Sequence, residues 1–144
     1  MDRTYRGLTA GIIGAIFMNI INLILYNYQV VTVRFLDWGG ILMFGTRPDN
    51  FLEITYGLMV HIFWTGVLGV IFSFLLPEIT SRGAFLKGGI YAFLVTFIFR
   101  VVTLIYDVPF LSQIPVITNL INTMTAFFWG LLVIELLYLF DHKT

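Results

Sequence analysis

Four long apolar runs are the feature that most narrows what this chain can become. They cover residues 7–31, 52–76, 84–106 and 115–140. Each holds about 20 residues or more, which is enough to cross the hydrocarbon core of a bilayer as a helix. Lipid offers the backbone no hydrogen bonds, so a spanning segment must be a helix or part of a closed barrel, and four segments cannot close a barrel. The sequence therefore predicts an all-α integral membrane four-helix bundle, built as a single membrane domain over residues 1–144. Composition excludes the soluble alternatives. Hydrophobic residues make up 59% and charged residues only 11%, with a mean hydropathy of +0.94. A soluble domain of this size has a large surface to cover, and these charges are too few to cover it. The chain has no cysteine, so a disulfide scaffold and thiol chemistry are excluded as well. Formal net charge is zero, so no overall field draws nucleic acid.

The residues between the runs agree with this division. Asn50 and Glu53 have the spacing of a capping box at the start of the second run. Pro77 closes that run, Ser81 can cap the third, and Asp107 with Pro109 ends it. Pro115 suits the first turn of the fourth. The first run is too long for a signal peptide and no small-residue cleavage site follows it, so it reads as an uncleaved helix. Four spans put both termini on one side. That side carries Arg3, Arg6, Arg82, Lys87 and Lys143, against Arg34 and Arg47 on the other. The bias predicts cytoplasmic termini. The long external connection, residues 34–50, has an apolar centre too short to span. It reads as a loop whose apolar part packs on the bundle, with a partly re-entrant segment as the alternative.

Polar residues inside spans need partners there, so they are the informative ones. In the third span Gly89, Ala92, Thr96, Arg100, Thr103 and Asp107 recur every three or four residues and share one helix face. The first span carries Asn19 and Asn22, the second His61, the fourth Asn119 and Asn122. Arg100 lies about 24 Å along its span at ~1.5 Å per residue, and the other groups fall at a similar depth in the outer half. Glycines concentrate in the inner half, where they permit close helix approach. The layer of Asn19, Asn22, His61, Thr96, Arg100, Thr103, Asp107, Asn119 and Asn122 is the candidate ligand-binding site. It supports two readings. One is an outward-facing polar pocket with Arg100 binding a small anion. The other is a clasp, with Arg100 satisfied by asparagine carbonyls and Asp107. Near the cytoplasmic ends, Lys87 and Glu135 match in depth, as an ion pair or as two side chains snorkelling separately.

No nucleophile, phosphate-loop, dinucleotide or zinc-protease pattern is present. His61 and His142 lie too far apart in the topology to share a metal. The sequence thus predicts no catalytic residues, no metal and no cofactor, and a non-enzymatic protein.

A weak internal repeat runs through the chain. Gly11, Ala15 and Asn19 align with Gly88, Ala92 and Thr96, while the stretch from His61 to Gly66 aligns with that from Thr125 to Gly130. This predicts two tandem helical hairpins related by a parallel duplication. The order of an opening RGLTAGIIGAIFMN, a helix with His61 and Gly66 ending in FSFLLPE, a third span opening FLKGG and a fourth containing FFWG resembles YagU-like small four-helix bacterial inner-membrane proteins. That resemblance implies a bacterial inner-membrane protein and supplies no substrate. The function predicted is a small polytopic protein that binds or helps move a small solute. The alternative is a structural or accessory subunit whose polar layer serves helix packing. Membrane lipid is the expected surrounding, with a small anionic ligand, a second copy or another membrane protein as the partners left open.

Overall fold

A computed structural model describes residues 2–76 and 83–141. Pro77, Ser81, Arg82, His142 and Lys143 lie outside the described residues. Among the described residues five helices follow in order: α1 (Arg3–Asn27), α2 (Phe35–Phe44), α3 (Phe51–Leu75), α4 (Ala84–Ile105) and α5 (Val116–Asp141). All but α2 are long and apolar enough to cross a membrane, as expected of a multi-pass helical membrane protein.

Two boundaries differ from expectation, each for a local reason. Helix α1 starts at Arg3 rather than residue 7 because the Asp2 carboxylate accepts the Thr4 N–H at 3.3 Å. It stops at Asn27 rather than residue 31 because Gln29 takes a left-handed φ of 58°. The apolar Val31 and Val33 that follow belong to the connection, where both are buried. At the head of α3 the Asn50 side chain accepts from Glu53 N at 3.0 Å, as the spacing predicts. The returning bond differs by one residue, since Glu53 accepts from Asp49 N at 3.0 Å.

The connection 34–50 folds as a further helix, α2, which hydropathy did not reveal. Asp37 accepts the Arg34 backbone N–H at 2.8 Å and so closes its first turn. Gly45, at φ 77°, lets the chain leave its last turn. Helix α2 lies along α3 with Leu36 and Gly40 against Gly57 and with Phe35 stacked on His61 at 5.3 Å. His61 is ten residues into α3, so the start of α2 sits about 15 Å along that helix.

Glycines set which helices meet backbone to backbone. A Cβ on Gly7 would lie 2.7 Å from the Gly69 carbonyl, and one on Gly11 2.5 Å from the Thr65 carbonyl. Those contacts zip α1 to α3. Gly88 and Gly130 oppose each other in the same way and zip α4 to α5. Under the repeat alignment Gly11 corresponds to Gly88 and Gly66 to Gly130, so a close contact in one hairpin maps onto a close contact in the other. The hairpins join through α1 and α5. There Trp129 rests on Gly14 and donates its indole N–H to Gly11 O at 3.2 Å, and Arg6 pairs with Asp141 at the terminal end.

The repeat makes α3 and α4 the counterpart of that α1–α5 seam, and here the two differ. No glycine contact joins α3 to α4 among the described residues. Large aromatic side chains separate them instead. Tyr91 stacks on Phe72 at 4.7 Å and bonds Leu68 O at 2.8 Å, and Trp64 meets Phe99 edge-on at 5.8 Å. One seam is closed, while the other is propped apart and encloses a cavity.

Candidate functional site

The cavity has a volume of about 320 Å³. Its floor is Trp129, Leu68 and Ala92, and Trp38 of α2 forms part of its wall with Trp64 and Phe99. Leu42, Met43 and Trp64 border it while remaining 50%, 54% and 44% exposed. The opening therefore lies on the apolar flank of the bundle, between α2, α3 and α4. The polar residues lining it are His61, Thr65, Thr96, Arg100, Asn119 and Asn122. A polar pocket was expected here; the walls are mainly aromatic and aliphatic, with polar groups at separate points.

The predicted site residues divide into three sets. The first supports the cavity from behind. Asn19 donates to Ala15 O at 2.8 Å and lies 2.9 Å from His61 Nδ1 through the same nitrogen. The Ala15 carbonyl fixes the orientation of that amide, so Nδ1 accepts and the imidazole proton sits on Nε2. Asn19 Oδ1 is buried with no partner among the described residues. Asn22 donates to Asn122 Oδ1 at 2.9 Å and accepts from Phe35 N at 2.9 Å. Asn122 in turn donates to Val33 O at 3.3 Å. Nearby, Thr118 accepts from Thr32 N at 3.0 Å. Asn22 and Asn122 thus tie α1 and α5 to the start of α2, as a clasp would.

The second set has donors left for a ligand. Arg100 donates to Leu111 O and, at 2.9 Å, to Ser112 O, both in the α4–α5 connection. These bonds use only part of the guanidinium's donor set. No carboxylate pairs with Arg100 among the described residues. Asn119 is half-buried and its amide bonds nothing in the protein among those residues. His61 bonds through Nδ1, and its Nε2 has no hydrogen-bond partner among the described residues. Thr96 lines the same wall, but its one hydroxyl donor is already given to Ala92 O at 2.9 Å, so it offers a ligand only an acceptor. Thr96, Arg100 and Asn119 also border a second hollow, with Phe93 and Phe97, between α4 and α5.

The third set lies off the cavity. Thr103 is buried and bonds the Arg100 carbonyl at 2.9 Å. Asp107 is exposed, with a left-handed φ of 44°. Helix α4 ends at Ile105, so Asp107 has left the helical register that placed it on the Arg100 face. The expected partners of Arg100, asparagine carbonyls and Asp107, are replaced by loop carbonyls.

Sequence reasoning also passed over Asp37. It is fully buried and holds Arg34 by Nε at 3.0 Å and Nη2 at 2.7 Å, and Arg47 at 3.2 Å. Arg34 further donates to Pro48 O at 3.0 Å, and Arg47 to Thr32 O at 2.5 Å. The Tyr26 ring lies 5.0 and 5.7 Å from the two guanidinium carbons. This cluster pins α2, and through it Trp38, against the bundle. The Arg34–Asp37 spacing of three residues was the available signal.

No protein-family model, curated protein or solved structure matches the chain.

Proposed function

We propose that the chain is a non-enzymatic membrane protein that binds, or helps to move, a small molecule in the cavity between α3 and α4. The observation that carries this reading is the free donor capacity of Arg100 and Asn119 inside a pocket of about 320 Å³. Intramembrane charge is expensive to maintain, and among the described residues no carboxylate pairs with Arg100. The five-to-two basic bias and the YagU-like sequence pattern favour the bacterial inner membrane with both termini cytoplasmic. In that orientation Arg100 lies in the outer half. A second reading, a structural subunit, draws support from the Asn22–Asn122 clasp, which needs no ligand to be satisfied.

Native mass spectrometry of the intact protein extracted from its membrane separates the two. The wild type should carry a single small-molecule adduct. Val95→Phe, which narrows the cavity from α4, should lose it, and Arg100→Gln should retain less, with helical content unchanged in both. A bare wild type, or equal adducts on all three, leaves the structural reading.

A further inference from the structure

We infer that the ligand is a single-chain amphiphile with an acidic head, a carboxylate or a phosphate monoester, which enters from the lipid. The inference rests on the binding reading above and adds the ligand class. Three observations point to it.

The walls come first. Trp38, Trp64, Phe99, Leu68 and Trp129 present apolar surface, and burying an aliphatic chain against it is favourable in proportion to area. A small hydrophilic anion would leave most of this surface unmatched. A volume of about 320 Å³ sits at the low end of small-molecule sites, ~300–1,000 Å³, and suits a single aliphatic chain.

The polar groups come second. Arg100, with its neighbour Asn119, supplies donors and a positive charge, and no carboxylate offsets that charge among the described residues. Guanidinium recognition of carboxylate or phosphate is charge-assisted and stronger than a neutral hydrogen bond. The carbonyls of Leu111 and Ser112 hold the guanidinium in place beforehand, which lessens the ordering needed on binding.

The entrance comes third. Leu42, Met43 and Trp64 border the cavity and are exposed on the apolar flank. A chain dissolved in the bilayer meets this opening directly, with its head held near the interface and its tail already in an apolar medium.

All three tryptophans of the chain line the cavity, so their fluorescence reports occupancy. The test is a titration of the full chain, in phosphatidylcholine nanodiscs at mildly alkaline pH, with bromododecanoic acid, whose bromine quenches tryptophan at contact. Quenching should saturate. Unlabelled dodecanoate or dodecyl phosphate should reverse it, and the stronger of the two identifies the head. Dodecanol and acetate should not. Arg100→Gln should weaken the saturable phase about tenfold, as loss of a charge-assisted bond implies, with helical content unchanged. Equal competition by dodecanol, or no effect of Arg100→Gln, would remove the acidic head and leave the binding reading standing. Equal competition by acetate or inorganic phosphate would remove the chain and again leave that reading. Linear quenching that is identical in Val95→Phe would be bilayer partitioning alone and would overturn both.

Discussion

Replacing Asp37 by alanine should release α2 while leaving the two glycine-zipped hairpins intact. The Asp37 carboxylate is fully buried and takes the Arg34 backbone N–H together with both guanidiniums at 2.7–3.2 Å. Removing one partner of a buried ion pair strands the other, which costs ~3–5 kcal/mol. The Arg47 side chain is 34% exposed and can rehydrate, whereas Arg34, at 12%, cannot do so without moving. That places the effect near the lower bound, ~3 kcal/mol. At ~1.4 kcal/mol per factor of ten, local opening of α2 becomes roughly a hundredfold more frequent. Amide hydrogen exchange in detergent or nanodiscs reads this directly. Protection should fall over residues 35–44 and stay unchanged at the α1–α3 contact around Gly11 and Gly66. Asp37→Asn keeps an acceptor for the Arg34 N–H but not the charge, so its effect should be intermediate. Unaltered exchange in α2, or a uniform loss across all helices, would refute the assignment of Asp37 as the local anchor.

Gly88→Leu should prevent the α4–α5 contact, because its Cβ would meet the Gly130 carbonyl and backbone cannot yield. Gly14→Leu meets the Trp129 ring, which can shift, so its destabilisation should be smaller, ~1–3 kcal/mol; thermal unfolding in detergent distinguishes the two, and equal stability would mean these glycines face lipid. Asn22→Ala strands the Phe35 N–H and one Asn122 bond and should cost ~1–3 kcal/mol for the unpaired buried donor, measured in the same assay. Reporter fusions after Thr144 and within residues 34–50 should report opposite sides of the membrane. The same side for both would break the four-span topology.

The spans were legible because long apolar runs have few other uses, and the glycine contacts were legible because small residues recur at matching depth. Helix α2 was not. It is short, apolar over most of its surface, and ordered by a buried Asp37 whose partners Arg34 and Arg47 lie at both ends of the connection. The polar layer was legible as a set, yet its pairings were not. Asn22 with Asn122 and Asn19 with His61 depend on helix rotation, and Asp107 dropped out once α4 ended at Ile105. The aromatic walls were invisible for a different reason. Phe99 faces the cavity while Phe97 and Ile98 on the same helix are exposed, and one sequence of apolar residues does not separate cavity-facing from lipid-facing rings. The repeat alignment bears on where the cavity lies. It pairs the closed α1–α5 seam with α3–α4, and the departure from that equivalence is the cavity.

Trp129 offers the most direct test of that cavity as a chain-binding site. It is only 4% exposed and forms the floor, whereas Trp64 is 44% exposed at the mouth. Lipid packed around the bundle touches Trp64 from outside, whereas only a chain that has entered the cavity meets Trp129. Intermolecular nuclear Overhauser contacts from the methylenes of dodecanoate, recorded on the protein in deuterated detergent, should reach the Trp129 indole and fade in Val95→Phe. Contacts confined to Trp64 and outward residues such as Phe97, with none at Trp129, would show that the chain stays outside and contradict the account.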